Sequence, residues 1–63
     1  MHVISIAAAA EALDVSERTI RRLIAAGQLP AYRVGHSVRI RTDDLSTVLR
    51  PVMAAQRVGG NAA

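Results

Sequence analysis

Residues Ser16 to Ile40, SERTIRRLIAAGQLPAYRVGHSVRI, decide the fold of this chain. Ile20, Leu23 and Ile24 fall at i, i+3 and i+4, one stripe of a helix, and leave Arg18, Thr19, Arg21 and Arg22 on or beside the opposite face. Ser16 can accept a backbone N–H from the first turn, and Glu17 sits at the positive end of the helix dipole, so this helix is expected to start near Glu17. Gly27 supplies the stop, and Pro30 keeps the helix from resuming. Beyond them the period changes from 3.6 to 2. Tyr32, Val34, Val38 and Ile40 alternate with Arg33, Arg39 and Arg41 around Gly35-His36-Ser37, which predicts a β-hairpin with one apolar and one arginine face. The apolar face is expected to close over the helices, leaving the arginines outward.

Upstream, Ser5 is a good N-cap, and Ile6 to Leu13 is alanine-rich with no Gly or Pro. Ile6, Ala9, Ala10 and Leu13 fall at i, i+3, i+4 and i+7, the core stripe of a first helix whose small alanines let another helix come close. Asp14 stands where the chain must turn, and Asp tolerates left-handed backbone better than most residues. Val15 is expected to plug the core between the helices. A helix, a tight turn and a basic second helix together make the helix-turn-helix pattern.

Downstream, Thr42-Asp43-Asp44-Leu45 reads as a capped helix start, with both carboxylates in the first turn. Neighbouring carboxylates point in different directions on a helix, so capping accounts for them better than acid/base or metal chemistry. Leu45, Val48, Leu49 and Val52 continue the apolar stripe. Pro51 leaves two readings: the third helix ends near Arg50, or Pro51 opens a short second one, from Val52 to Val58. We take the second, dividing the chain into a domain over residues 1–50, a helical extension over 51–58 and a disordered tail over 59–63. Val52, Met53 and Val58 could serve contacts between copies or fold back as extra core.

At 63 residues the chain makes one small domain of marginal stability. It has no Cys for disulfides or thiolate zinc sites. The N-terminal MHVISIAAAAEA has no basic leading region and reaches Glu11 before a long apolar run develops, so neither a signal peptide nor a membrane span is expected, and a cytoplasmic location is. All eight basic side chains are Arg, with none from Lys, at a net charge of +3. Arginine forks suit phosphates and guanine edges, although Arg without Lys, beside twelve Ala, also fits the codon bias of a GC-rich genome. Codon bias does not explain placement. From Ser16 to Arg41 there are six Arg and His36 against Glu17 as the sole acid, whereas Glu11, Asp14, Asp43 and Asp44 fall outside. That segregation predicts one polyanion-facing side.

The run V-S-x-x-T-I-x-R-L-I, then G-x-L-P-A-Y-R-V-G, then an arginine-bearing strand resembles the excisionase-type members of the MerR-like winged helix-turn-helix superfamily, over roughly Ile4 to Leu49. The resemblance implies an α+β, mainly α fold with a two-stranded hairpin wing and a C-terminal helix. It also implies that the second helix enters a major groove while the wing reaches the adjacent minor groove or backbone. The family's activities include phage excisionases, which are recombination directionality factors, and small transcriptional regulators. Three departures stand out: Asp14 where the family often has Gly, Glu17 where a basic or polar residue is usual, and a mild wing tip at His36-Ser37.

The candidate DNA-binding residues are Ser16, Arg18, Thr19, Arg21 and Arg22 on the helix, and Arg33, His36, Ser37 and Arg39 on the wing. Arg22 lies one turn from Arg18 and shares its face, whereas Arg21 could belong to either flank. Glu17 could accept from a cytosine amino group, and His36 could donate to a phosphate or be a solvated turn residue. The expected function is a DNA-binding and DNA-bending excisionase, cooperating with neighbouring copies on attachment-site direct repeats and directing a phage integrase towards excision. The alternative is a small transcriptional regulator using the same domain. No coiled-coil heptad follows the wing to favour the dimeric effector-sensing type. Two isolated His, no Cys and no glycine-rich phosphate loop give no basis for an enzyme or a bound cofactor.

Overall fold

The computed structural model describes residues 2–52. Strand β1 (Val3–Ile4) leads into helix α1 (Ile6–Leu13) and then helix α2 (Glu17–Ala25). Strands β2 (Tyr32–Val34) and β3 (Ser37–Arg41) follow, and a 3₁₀ helix (Thr42–Val48) closes the described chain. The sheet is antiparallel with β3 in the centre, between β1 and β2. The α+β winged helix-turn-helix architecture expected from the sequence is present, with one strand more than the hairpin requires.

Both helices are built by their ends. Ser5 Oγ accepts the Ala8 N–H at 3.0 Å, and Ser16 Oγ accepts the Thr19 N–H at 3.1 Å. Each pairing satisfies an amide that the first turn would otherwise leave open. At the far end of α1, Asp14 takes left-handed backbone (φ 56°, ψ 47°). Val15 donates to the Ala10 carbonyl at 2.9 Å and Asp14 to that of Glu11 at 3.2 Å. After α2 the same pair of bonds recurs: Gly27 stands at φ 75°, Gln28 donates to Leu23 at 2.9 Å and Gly27 to Ile24 at 3.0 Å. Both are Schellman stops, one written with glycine and one with aspartate.

Ala9, Ala10, Ile20, Leu29 and Ile40 form the buried core, with Ile4, Ile6, Leu13, Leu23, Ile24, Ala31, Leu45 and Val48 packed around it. Full burial of Ile20, Leu29 and Ile40 is worth roughly 1.5–3 kcal/mol each. The stripes of α1 and α2 thus face inward as read from their spacing. Val15 does not plug the core: it stands past the left-handed turn, 40% exposed. Leu29 takes the inter-element position instead, its N–H directed to the Leu23 carbonyl at 3.3 Å.

Two further expectations are corrected. The hairpin loop is Gly35-His36, not Gly35-His36-Ser37, because Ser37 pairs with Val34, Val38 with Arg33, and Arg39 with Tyr32. Gly35 has φ +62° and His36 a negative φ, the pattern of a type II′ turn, which asks for glycine first. A loop one residue shorter turns β2 over relative to β3. Tyr32 and Val34 therefore sit on the outward face with Arg39, exposed, and Arg33 joins the face of Val38 and buried Ile40.

The segment after β3 is a 3₁₀ helix and not an α-helix capped by Thr42. Thr42 directs both its N–H (3.0 Å) and its Oγ1 (3.4 Å) to the His2 carbonyl, closing the sheet instead of capping the helix. Ser46 and Thr47 hydroxyls donate to the carbonyls of Asp43 and Asp44, three residues back, at 3.3 and 2.6 Å. Leu45 and Val48 pack on the core, but Leu49 and Val52 are 64% and 93% exposed, so the apolar stripe ends at Val48. Pro51 and Val52 adopt no regular structure; the rest of the expected extension over 51–58 and the tail over 59–63 lie outside the described residues.

Candidate nucleic-acid interface

Helix α2 is fastened by Ile20, so the residues half a turn away point out of the domain. Arg18 and Arg22 lie one turn apart on that outward face, both exposed, and neither reaches a carboxylate among the described residues. Arg21 resolves to the flank of Glu17, whose Oε1 is 3.5 Å from Arg21 Nη1 across one turn. Both side chains are open to solvent, so the pair contributes only a few tenths of a kcal/mol. Its larger effect is to neutralise Arg21 locally, leaving Arg18 and Arg22 as the bare cations of the helix.

Ser16 and Thr19 are occupied with each other. Ser16 Oγ holds the Thr19 amide and lies 3.0 Å from Thr19 Oγ1. Their primary task is structural: they start α2 where the turn from α1 delivers it. A hydroxyl can accept twice and donate once, so the pair keeps capacity for an outside acceptor.

Ile40 anchors β3 to the core that also holds Ile20, which fixes the hairpin relative to α2. Its tip, His36 and Ser37, is exposed. Arg33 is exposed and has no carboxylate partner among the described residues, and nor does half-buried Arg39, whose Nη1 donates to the Val38 carbonyl at 2.8 Å. The structure does not bring Arg33 and Arg39 onto one face, as the sequence reading supposed.

Arg41, counted in the arginine face of the hairpin, is held inside the protein's own charge network. Its Nε is 3.8 Å from Asp44 Oδ2 and its Nη2 is 4.0 Å from Asp43 Oδ2. The Tyr32 hydroxyl first, through hydrogen bonding, and then the Asp44 carboxylate hold the guanidinium pKa above its ordinary value. Arginine is charged at any working pH, so the consequence is anchorage of the wing base and not titration. The adjacent carboxylates that a sequence reading assigns to capping serve this arginine as well. Spacing alone gave the signal, since Arg41 to Asp44 is i, i+3.

Within α2 and the hairpin, subtracting the arginines paired among the described residues leaves four uncompensated guanidinium groups, Arg18, Arg22, Arg33 and Arg39, on two elements tied to one core. Residues 3–51 match the family model of the helix-turn-helix domain. The chain is also 41% identical over 49 residues to a protein of Mycobacterium phage D29 named Excisionase, covering 76% of this chain and 88% of that protein. The chain belongs to the excisionase-type helix-turn-helix family. No solved structure matches it. Membership makes it a DNA-binding protein. Among the described residues, no helix is long and apolar enough to cross a membrane, and no group of three or more His, Asp or Glu could hold a metal ion.

Proposed function

We propose that this excisionase-type protein places α2 in a major groove and the hairpin against the adjacent backbone or minor groove. It binds tandem attachment-site repeats cooperatively, bends the DNA and directs an integrase towards prophage excision. The observation that carries the reading is the Arg18–Arg22 pair, uncompensated by acid among the described residues, on the outward face of a doubly capped helix that shares its core with an arginine-bearing hairpin. On this reading Arg18 and Arg22 read base edges, Arg33 and Arg39 hold phosphates, and Ser16, Thr19, Arg21, His36 and Ser37 flank them. A single module of this size buries little interface on DNA, so occupancy depends on neighbouring copies. The relative's name, Excisionase, supports recombination over the regulator alternative.

The test is a mobility-shift and recombination assay on DNA carrying attachment-site repeats with the cognate integrase. Stimulated excision with inhibited integration is expected, together with shifts that appear cooperatively as sites are added. Binding to an operator with no effect on recombination would replace this reading with the transcriptional regulator.

A further inference from the structure

Directly opposed residues of an antiparallel pair project to the same side of the sheet, and successive residues alternate. The pairings Tyr32 with Arg39 and Arg33 with Val38 therefore put the two unpaired wing arginines on opposite faces of the hairpin. Arg33 shares its face with Ile40, which is fully buried, so that face is the one turned to the helices. Arg39 shares the outward face with Tyr32 and Val34. Arg41, the other arginine of that outward face, is tied to Asp43 and Asp44. Each face is left with one uncompensated guanidinium.

We propose that the hairpin works edge-on between the two phosphate walls of one groove, with Arg33 serving the backbone of one DNA strand and Arg39 that of the other. The proposal rests on the DNA-binding reading above. A hairpin laid flat on a single backbone would turn one face, and with it one of the two arginines, away from the phosphates. The walls of a groove belong to different strands, and the minor groove is only about 6 Å wide between them, so a thin element with a cation on each side meets both. The tip is thin enough to lead: its loop is two residues long, and nothing stands within 4 Å of where a side chain on Gly35 would begin. Arg39 is parked on the Val38 carbonyl through Nη1 alone, which leaves its other N–H donors available to a phosphate.

Phosphate-ethylation interference on each strand of a bound duplex, using the full chain and its Arg33→Ala and Arg39→Ala variants, tests the arrangement. Each variant is expected to lose ethylation interference at one or two phosphates on one strand only, and the strands are expected to differ. Each should also reduce the slope of log K against log salt by about 0.9, and the double variant by about twice that. Arg33→Lys and Arg39→Lys keep the charge and should retain the wild-type slope, which separates a lost contact from a damaged fold. Loss of phosphates on the same strand in both variants, or an unchanged footprint in either, would overturn the proposal while leaving DNA binding intact. Failure of the parent protein to shift any duplex would instead remove the reading beneath it.

Discussion

Helices α1 and α2 begin on the same device, a serine Oγ that accepts the N–H three residues on. Both also end on a left-handed residue closed by the same two backbone bonds, Asp14 in one and Gly27 in the other. Their inward stripes meet in one core. They differ in what they turn outward. Helix α1 exposes Ala7, Glu11 and Ala12, whereas α2 exposes Glu17, Arg18, Arg21, Arg22 and Ala25. The ends of a helix set its length, its buried stripe sets its pose, and the remaining face is free to carry chemistry without cost to either.

That separation can be attacked in order of expected effect. Ile20→Ala empties a fully buried site and is expected to cost about 2–5 kcal/mol. A core in a chain this short rarely supplies more than roughly 3–5 kcal/mol, so urea unfolding followed by circular dichroism should show little folded protein. Arg22→Ala touches only the outward face. It is expected to cost about 1–3 kcal/mol in specific DNA binding, with relaxed sequence preference, while stability stays within about 0.5 kcal/mol. A comparable loss of stability would show that the outward face is not free. Ser5→Ala and Ser16→Ala should each remove about 1 kcal/mol of stability, measured by the same denaturation. An additional loss of DNA affinity, corrected for folded fraction, in Ser16→Ala alone would assign the Ser16 hydroxyl a second task. The stops act on the same scale as the caps or below it. Asp14→Gly is expected to stabilise by a few tenths to about 1 kcal/mol by relieving left-handed strain, and Gly27→Ala to destabilise by about 1 kcal/mol. Space is not the issue at Gly27, since an added Cβ would meet nothing within 4 Å.

These contrasts also mark what could be read from the chain. Ser5, Asp14, Ser16 and Gly27 act on neighbours three to five residues away, and the helical stripes repeat within a few turns, so both were legible. The hairpin was legible as an element but not in register. Alternation groups residues within one strand, and only the loop length relates the two strands, so counting Ser37 into the loop put Arg33 and Arg39 together. Strand β1 has two residues and no pattern of its own; it exists through pairing with Ile40 and Arg41. Thr42 has the side chain of a cap, and only the distant His2 carbonyl diverts it. Within the candidate interface, clustering of Arg was plain in the sequence. Which arginines stay uncompensated depended on Glu17, Asp43 and Asp44 reaching their partners.

The pair of hydrogen bonds that Thr42 donates to the His2 carbonyl also orders events in time. It spans 40 residues of chain, and a ribosome adding roughly 5–20 residues per second delivers the second partner several seconds after the first. Helices α1 and α2, with their local caps and stops, can form and meet during that interval. Strand β1 cannot, because its partner strand has not yet emerged. Its brevity is then protective: two residues offer too short an edge to recruit a stranger before β3 arrives.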